Sequence, residues 1–124
     1  MPLSSYTLVA LARRLAREVG AIRAEGTASA ATATLVTDAV NLLFPNTNDA
    51  AALQFVIISG GGTGNEGVTR YITSSVANTS VTVPSVTGLD ATTPTYIVLD
   101  PRVADYQSLV DAIRAAIESV LHLH

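Results

Sequence analysis

A glycine-rich run, Ser59-Gly60-Gly61-Gly62-Thr63-Gly64-Asn65-Glu66-Gly67, constrains this chain more than any other feature, because of what flanks it. An apolar segment, Leu53-Gln54-Phe55-Val56-Ile57-Ile58, leads in, and alternating sequence, Val68-Thr69-Arg70-Tyr71-Ile72-Thr73, leads out. A glycine loop between a strand and a helix makes a phosphate cradle, because the first amides of the helix face the anion. Between two strands it makes a wide hairpin instead. The residues after Gly67 are β-branched and aromatic, a poor start for a helix. The match of Gly62, Gly64 and Gly67 to a dinucleotide fingerprint is therefore one of letters only. Val68 stands where a phosphate-binding loop needs lysine. The expectation is a β-domain and a structural role.

The order of elements reads helix, β-domain, helix. From Thr7 to Ala24, Leu8, Leu11, Leu15, Val19 and Ile22 recur at spacings of three and four, predicting one helix with an apolar stripe. Ser4 or Ser5 caps its start, and Gly26 is placed to end it. Arg13, Arg14 and Arg17 lie on the other side. They read either as a contact for DNA or an acidic partner, or as a solvated face with Arg14 near Glu18. Residues 26–34 read as an extended linker. Strands are expected at Ala33–Val36, Ala52–Ser59, Gly67–Ser74, Ser80–Val83 and Thr95–Leu99, separated by turn-forming clusters. The segment Asp38–Phe44 fits a helical turn or an irregular edge equally. After Pro101 a second helix is expected over Val103–Leu121, its apolar face formed by Tyr106, Leu109, Val110, Ile113, Ile117, Val120 and Leu121. The fold class is α+β: a small antiparallel sandwich or barrel flanked by two amphipathic helices. Its organisation is an arm over 1–26, a β-rich domain over 27–101 and a helix over 102–124, as one unit.

Composition narrows function. The chain is 48% hydrophobic and only 14% charged. Its unbroken apolar runs, Phe55–Ile58 among them, are far too short to cross a bilayer, and no signal-peptide pattern opens the chain. Oligomerisation is the natural way to hide such apolar surface. The net charge of -3 argues against a general nucleic-acid binder. Absence of cysteine removes disulfides, thiol catalysis and cysteine-based zinc sites together. All seven basic residues are arginine, for which coding bias is the plain explanation.

No constellation supports catalysis. His122 and His124 are the only histidines, with no neighbouring carboxylate or third histidine to complete a metal set. Carboxylates are scattered singly. Asn78-Thr79-Ser80 is a formal glycosylation sequon that reads better as a hairpin turn. Arg70 either pairs with Glu66, reaches another subunit, or simply faces solvent. No catalytic residue, cofactor or metal is expected.

Several of these segments, taken together, resemble a β-module that recurs in virion proteins of tailed bacteriophages. The resemblance rests on Thr34-Leu35-Val36-Thr37-Asp38-Ala39, Phe55–Gly64, Val68-Thr69-Arg70-Tyr71-Ile72-Thr73, Thr79–Pro84 and Thr95–Leu99, with Leu109–Ile117 resembling the helix that often follows. It covers roughly residues 30–120. It implies a non-enzymatic structural subunit of a virion, assembled in the host cytoplasm, most simply a ring component of the head-to-tail neck beneath the portal. A capsid decoration protein, bound as a trimer, is the alternative. A carbohydrate- or protein-binding β-module of a tail appendage is the second, against which the 5% aromatic content and absence of tryptophan count. The implied partners are copies of the chain and portal, neck or capsid proteins. No membrane and no specific nucleic acid is implied, with contact to DNA in a lumen left open. Contact residues expected on this reading are Leu8, Leu11, Leu15, Arg13, Arg17, Tyr106, Ile113 and Ile117, with Gly62, Gly64 and Arg70 around the hairpin. Each apolar member also fits an intrachain core.

Overall fold

A computed structural model describes residues 5–90 and 92–122, with side chains over 8–90 and 92–121. Ser4, His124 and the side chains of Ser5 and His122 lie outside the described residues. Two helices, α1 (Ser5–Val19) and α2 (Tyr106–His122), flank eight strands. The strands are β1 (Ile22–Thr27), β2 (Ala30–Ala31), β3 (Leu35–Thr37), β4 (Gln54–Ser59), β5 (Thr69–Tyr71), β6 (Ser74–Val76), β7 (Ser80–Thr82) and β8 (Thr95–Leu99). They form two four-stranded antiparallel sheets, ordered β1-β8-β4-β5 and β2-β3-β7-β6. The expected α+β class holds. The sheets remain separate and do not close into the barrel that was the other expectation.

Three layers result, and the central strands explain why. On β4, Phe55 and Ile57 face the second sheet, while Val56 and Ile58 face the helices. On β8, Tyr96 and Val98 share the first face and Ile97 and Leu99 the second. A strand buried on both faces reads as a continuous apolar run, which is how Phe55–Ile58 appears in sequence. The inter-sheet core adds Val36, Val81, Val83, Leu42, Leu89 and Ile72. Much of the apolar surplus is thus buried within the chain.

Helix α1 ends earlier than its apolar spacing suggests. Gly20 takes φ 76°, the Gly20 amide donates to the Arg17 carbonyl and the Ala21 amide to the Ala16 carbonyl. That is a Schellman stop, in which a left-handed glycine turns the chain and satisfies the last carbonyls. Gly26, the expected stop, instead lies in β1, paired to Tyr96. The stretch read as helix end and linker therefore contains β1 and β2. The inward face of α1 also differs from the expected leucine stripe. Val9, Ala12 and Ala16 are buried against the sheet, Leu8 and Leu15 are half-buried, and Leu11 and Val19 are exposed. Alanines at Ala12 and Ala16 let the helix lie close on the sheet.

The expected strand Gly67–Ser74 breaks in two. At Ile72 the backbone is held by Leu53 and Ala52, and the next amide, Thr73, donates to Thr82 of the other sheet. The chain thus turns the corner between sheets there, β5 belonging to one and β6 to the other. Beyond it, β6 and β7 form a hairpin closed by Ala77-Asn78-Thr79, with Asn78 at φ 53°. Helix α2 begins at Tyr106 rather than Val103, because Asp105 caps it: its Oδ1 accepts the Ser108 amide at 2.7 Å. Buried Gln54 of β4 accepts the Tyr106 amide at 2.6 Å, tying the helix start to the sheet.

Candidate interaction surface

The glycine run is the β4–β5 hairpin, between antiparallel strands. Its polar backbone is engaged internally: the Gly67 amide donates to Ile57, the Val68 amide to Asn65 and the Asn65 amide to Gly62. Asn65 then fastens the loop to its neighbour, donating from Nδ2 to the carbonyls of Gly61 at 2.8 Å and Thr87 at 2.9 Å. No helix N-terminus follows the run, so the geometry of a dinucleotide cradle is missing from it. Gly62 has φ 103°, and a Cβ there would lie 2.5 Å from the Gly88 carbonyl oxygen. Gly64 has φ 78° but open space around it. Gly62→Ala is therefore expected to cost about 2–4 kcal/mol through clash and backbone strain, and Gly64→Ala about 1 kcal/mol through strain alone. Urea denaturation of the two variants side by side checks the difference.

Arg70 does not pair with Glu66. It donates to the carbonyl of Thr69 at 2.8 Å and, at 3.4 Å, to that of Ser85, holding the loop before Leu89 against β5. Arg13 and Arg17 converge on one oxygen of Glu25 on β1, at 2.9 and 2.6 Å. Burial would raise the Glu25 pKa, but the guanidinium groups of Arg17 and Arg13 outweigh it and hold the carboxyl low. These two arginines anchor α1 to the sheet edge, a role that the separation of Glu25 from them in sequence concealed. Arg14 stays exposed.

Of the expected apolar contacts, Tyr106 is core. It packs with Val9 beside Gly67 and is 9% exposed, and burial pushes its hydroxyl pKa up. The other helix residues converge differently. Leu11 and Leu15 of α1 and Ala112, Ile113 and Ala116 of α2 line a groove of about 440 Å³, rimmed by Arg14 and Glu18. Ala116 continues it into a shallow hollow of about 250 Å³ with Ile117, Val120 and Leu121. Val120 and Leu121 are 56% and 60% exposed. The groove between the helices and the last turns of α2 thus form one apolar surface, which gathers Leu11, Leu15, Ile113 and Ile117; Leu15 and Ile113, at its floor, also pack on the helix–sheet core.

A larger cleft, about 710 Å³, lies where β1 begins and β8 ends, lined in part by Arg23, Leu43, Asp49, Asp100 and Arg102. Its charges cancel. Asp100 accepts from Arg102 at 3.1 Å and from Arg23 at 3.5 Å, and the Arg102 hydrogen bonds hold its carboxyl pKa low. Among the described residues no group of three or more His, Asp or Glu is placed to hold a metal ion, and no helix is long and apolar enough to cross a membrane.

Sequence reasoning missed Asp38. It is buried at the end of β3, and its Oδ1 accepts the amides of Val40 and Asn41, both at 3.1 Å. Its Oδ2 accepts from Asn41 Nδ2 at 2.8 Å and from the Tyr96 hydroxyl at 2.7 Å. This resolves Asp38–Phe44 as a turn held by its first residue. The signal was an Asp followed three positions on by Asn, a pairing suited to such a turn. No protein-family model, curated protein or solved structure matches the chain.

Proposed function

We propose that this chain is a non-enzymatic structural subunit of a tailed-phage particle, one copy of a ring in the head-to-tail neck. The observation that carries the reading is the apolar surface formed by the α1–α2 groove and the last turns of α2, where Leu11, Val120 and Leu121 stay exposed. Val40, Leu43, Tyr71, Val76 and Val103 are exposed elsewhere, on strands and loops. Contiguous apolar surface on a soluble fold marks a site of association. The body behind it suits a building block: three packed layers, with ion pairs from Arg13 and Arg17 fixing α1 in place. The segments that resemble the virion module fall in order on β3, β4, β5, β7, β8 and α2. Each subunit contact can then be modest, because a closed ring sums many of them.

Cryo-electron microscopy of the particle that carries the chain tests this. Copies arranged around the portal axis are the expected result. Copies spread over the shell would replace the neck reading with a decoration protein, and absence from any particle would overturn both.

A further inference from the structure

We propose that the last turns of α2, where its inward stripe runs on uncovered beyond the half-buried Ile113, pair with a second copy of this chain across a two-fold axis, and that this pair is the free form of the subunit. The inference rests on the reading of the chain as an assembling subunit, and it names the first occupant of that surface. Along α2, Ile113, Ala116, Ile117 and Val120 recur at three and four residues, the spacing of a helix–helix seam. Ala112, Ala115 and Ala116 are all exposed, so two such helices can approach closely.

The charges beside the seam select the partner. Arg114 and Glu118, both exposed, flank it one turn apart. An antiparallel pair centred near Ala116 sets Ile113 opposite Val120 of the second copy and Ala116 opposite its Ile117. The same arrangement brings Arg114 within reach of Glu118 of the second copy, and by symmetry the reverse contact forms too. A two-fold parallel pair would put the two Arg114–Glu118 edges on opposite sides of the seam, where they could not meet. On α1, Arg14 and Glu18 repeat the same mixture at the rim of the groove. A strongly acidic or strongly basic partner would meet an unfavourable charge wherever it met a favourable one. A copy of the same surface, turned by the two-fold, meets its complement throughout.

Such a pair is closed and has no direction along an axis, whereas a ring subunit repeats head to tail. The pairing therefore covers the apolar face in the free protein and gives it up to a different neighbour in the ring. It keeps the subunit soluble until that neighbour is present.

Sedimentation equilibrium of the purified full chain over a range of concentrations tests the pairing. The expected mass is twice that of the chain. Val120→Asp is expected to give a monomer that keeps the native far-UV circular dichroism spectrum, since Val120 is exposed. Arg114→Glu is expected to weaken the dimer by about tenfold, and adding Glu118→Arg to restore it. A monomer at every concentration overturns the proposal, as does a dimer that none of these changes moves. The measurement needs no particle, so a monomer in solution removes the pairing, whereas the neck reading falls only with the particle reconstruction.

Discussion

Replacing Asp38 by Ala is expected to lower the unfolding free energy by about 3–5 kcal/mol, because it strands several donors around a buried carboxylate. Asp38 is 2% exposed and Tyr96 fully buried, so water cannot take over the lost bonds. The Tyr96 hydroxyl, the Asn41 side chain and the amides of Val40 and Asn41 would all lose their acceptor. Tyr96 stands on the central strand β8 and Asp38 just after β3, so the bond between them joins the two sheets. A chain of this size has roughly 5–15 kcal/mol of total stability. Urea denaturation followed by far-UV circular dichroism checks the loss, which should appear as a lower midpoint with an unchanged slope.

The same carboxylate sets a pH dependence. Burial would raise the Asp38 pKa, but hydrogen bonds from Asn41, Tyr96 and Val40 outweigh it and hold the folded-state value below the ordinary 3.8. The unfolded chain then binds the proton more tightly than the folded one. The stability due to Asp38 is accordingly complete above its unfolded-state pKa and is lost as pH falls through the depressed folded value. Glu25 and Asp100, also held low, act in the same direction. Urea midpoints measured from neutral pH downward should fall in the acid range, and Asp38→Asn should flatten that fall. An acid limb as steep in Asp38→Asn as in the native chain would remove Asp38 as its source.

Phe55→Ala is the second large effect, expected to cost about 3–5 kcal/mol through lost burial and a cavity in the inter-sheet core. Phe55 is fully buried on β4, and its ring stacks on Tyr96 with centroids 5.3 Å apart and planes at 21°. Strands β4 and β8 are the two inner strands of their sheet, so the neighbours have little room to collapse inward. Because Phe55 and Asp38 both act through Tyr96, the double variant should lose less than the sum of the two losses. Strict additivity would show that Tyr96 does not couple them.

How far the fold was legible depends on where the information lay. Strand β8 is found at the limits expected, Thr95–Leu99, because a buried β-branched run between a proline turn and Asp100 is distinctive by itself. The hairpin around the glycine run was legible for the same reason. Strand β1 was not. Ile22-Arg23-Ala24-Glu25-Gly26-Thr27 continues the apolar spacing of α1, and only its pairing with β8 makes it a strand. Gly20 carried the local signal for the helix end, but Gly26 matched the apolar period better. The candidate surface was legible in part. Leu11, Leu15, Ile113 and Ile117 stood out as apolar positions, and the same criterion brought in Tyr106, which is core. The Glu25 clamp and the Asp38 network were illegible, because their members meet only when distant segments pair.

By itself, then, the sequence determined what local torsion and hydrogen bonding control: the Asn78 turn, the glycine hairpin and the Asp105 cap that starts α2. These depend on residues a few positions apart, and their chemistry survives in any context. Only the tertiary structure decided that Val9, Ala12 and Ala16 face the sheet while Leu11 faces out, and that Ile72 turns the chain from one sheet to the other. An apolar side chain states a preference for burial without naming the layer that will cover it. That choice belongs to the whole set of non-local pairings, in which β4 and β8 must be covered on both faces and the last turns of α2 are left uncovered.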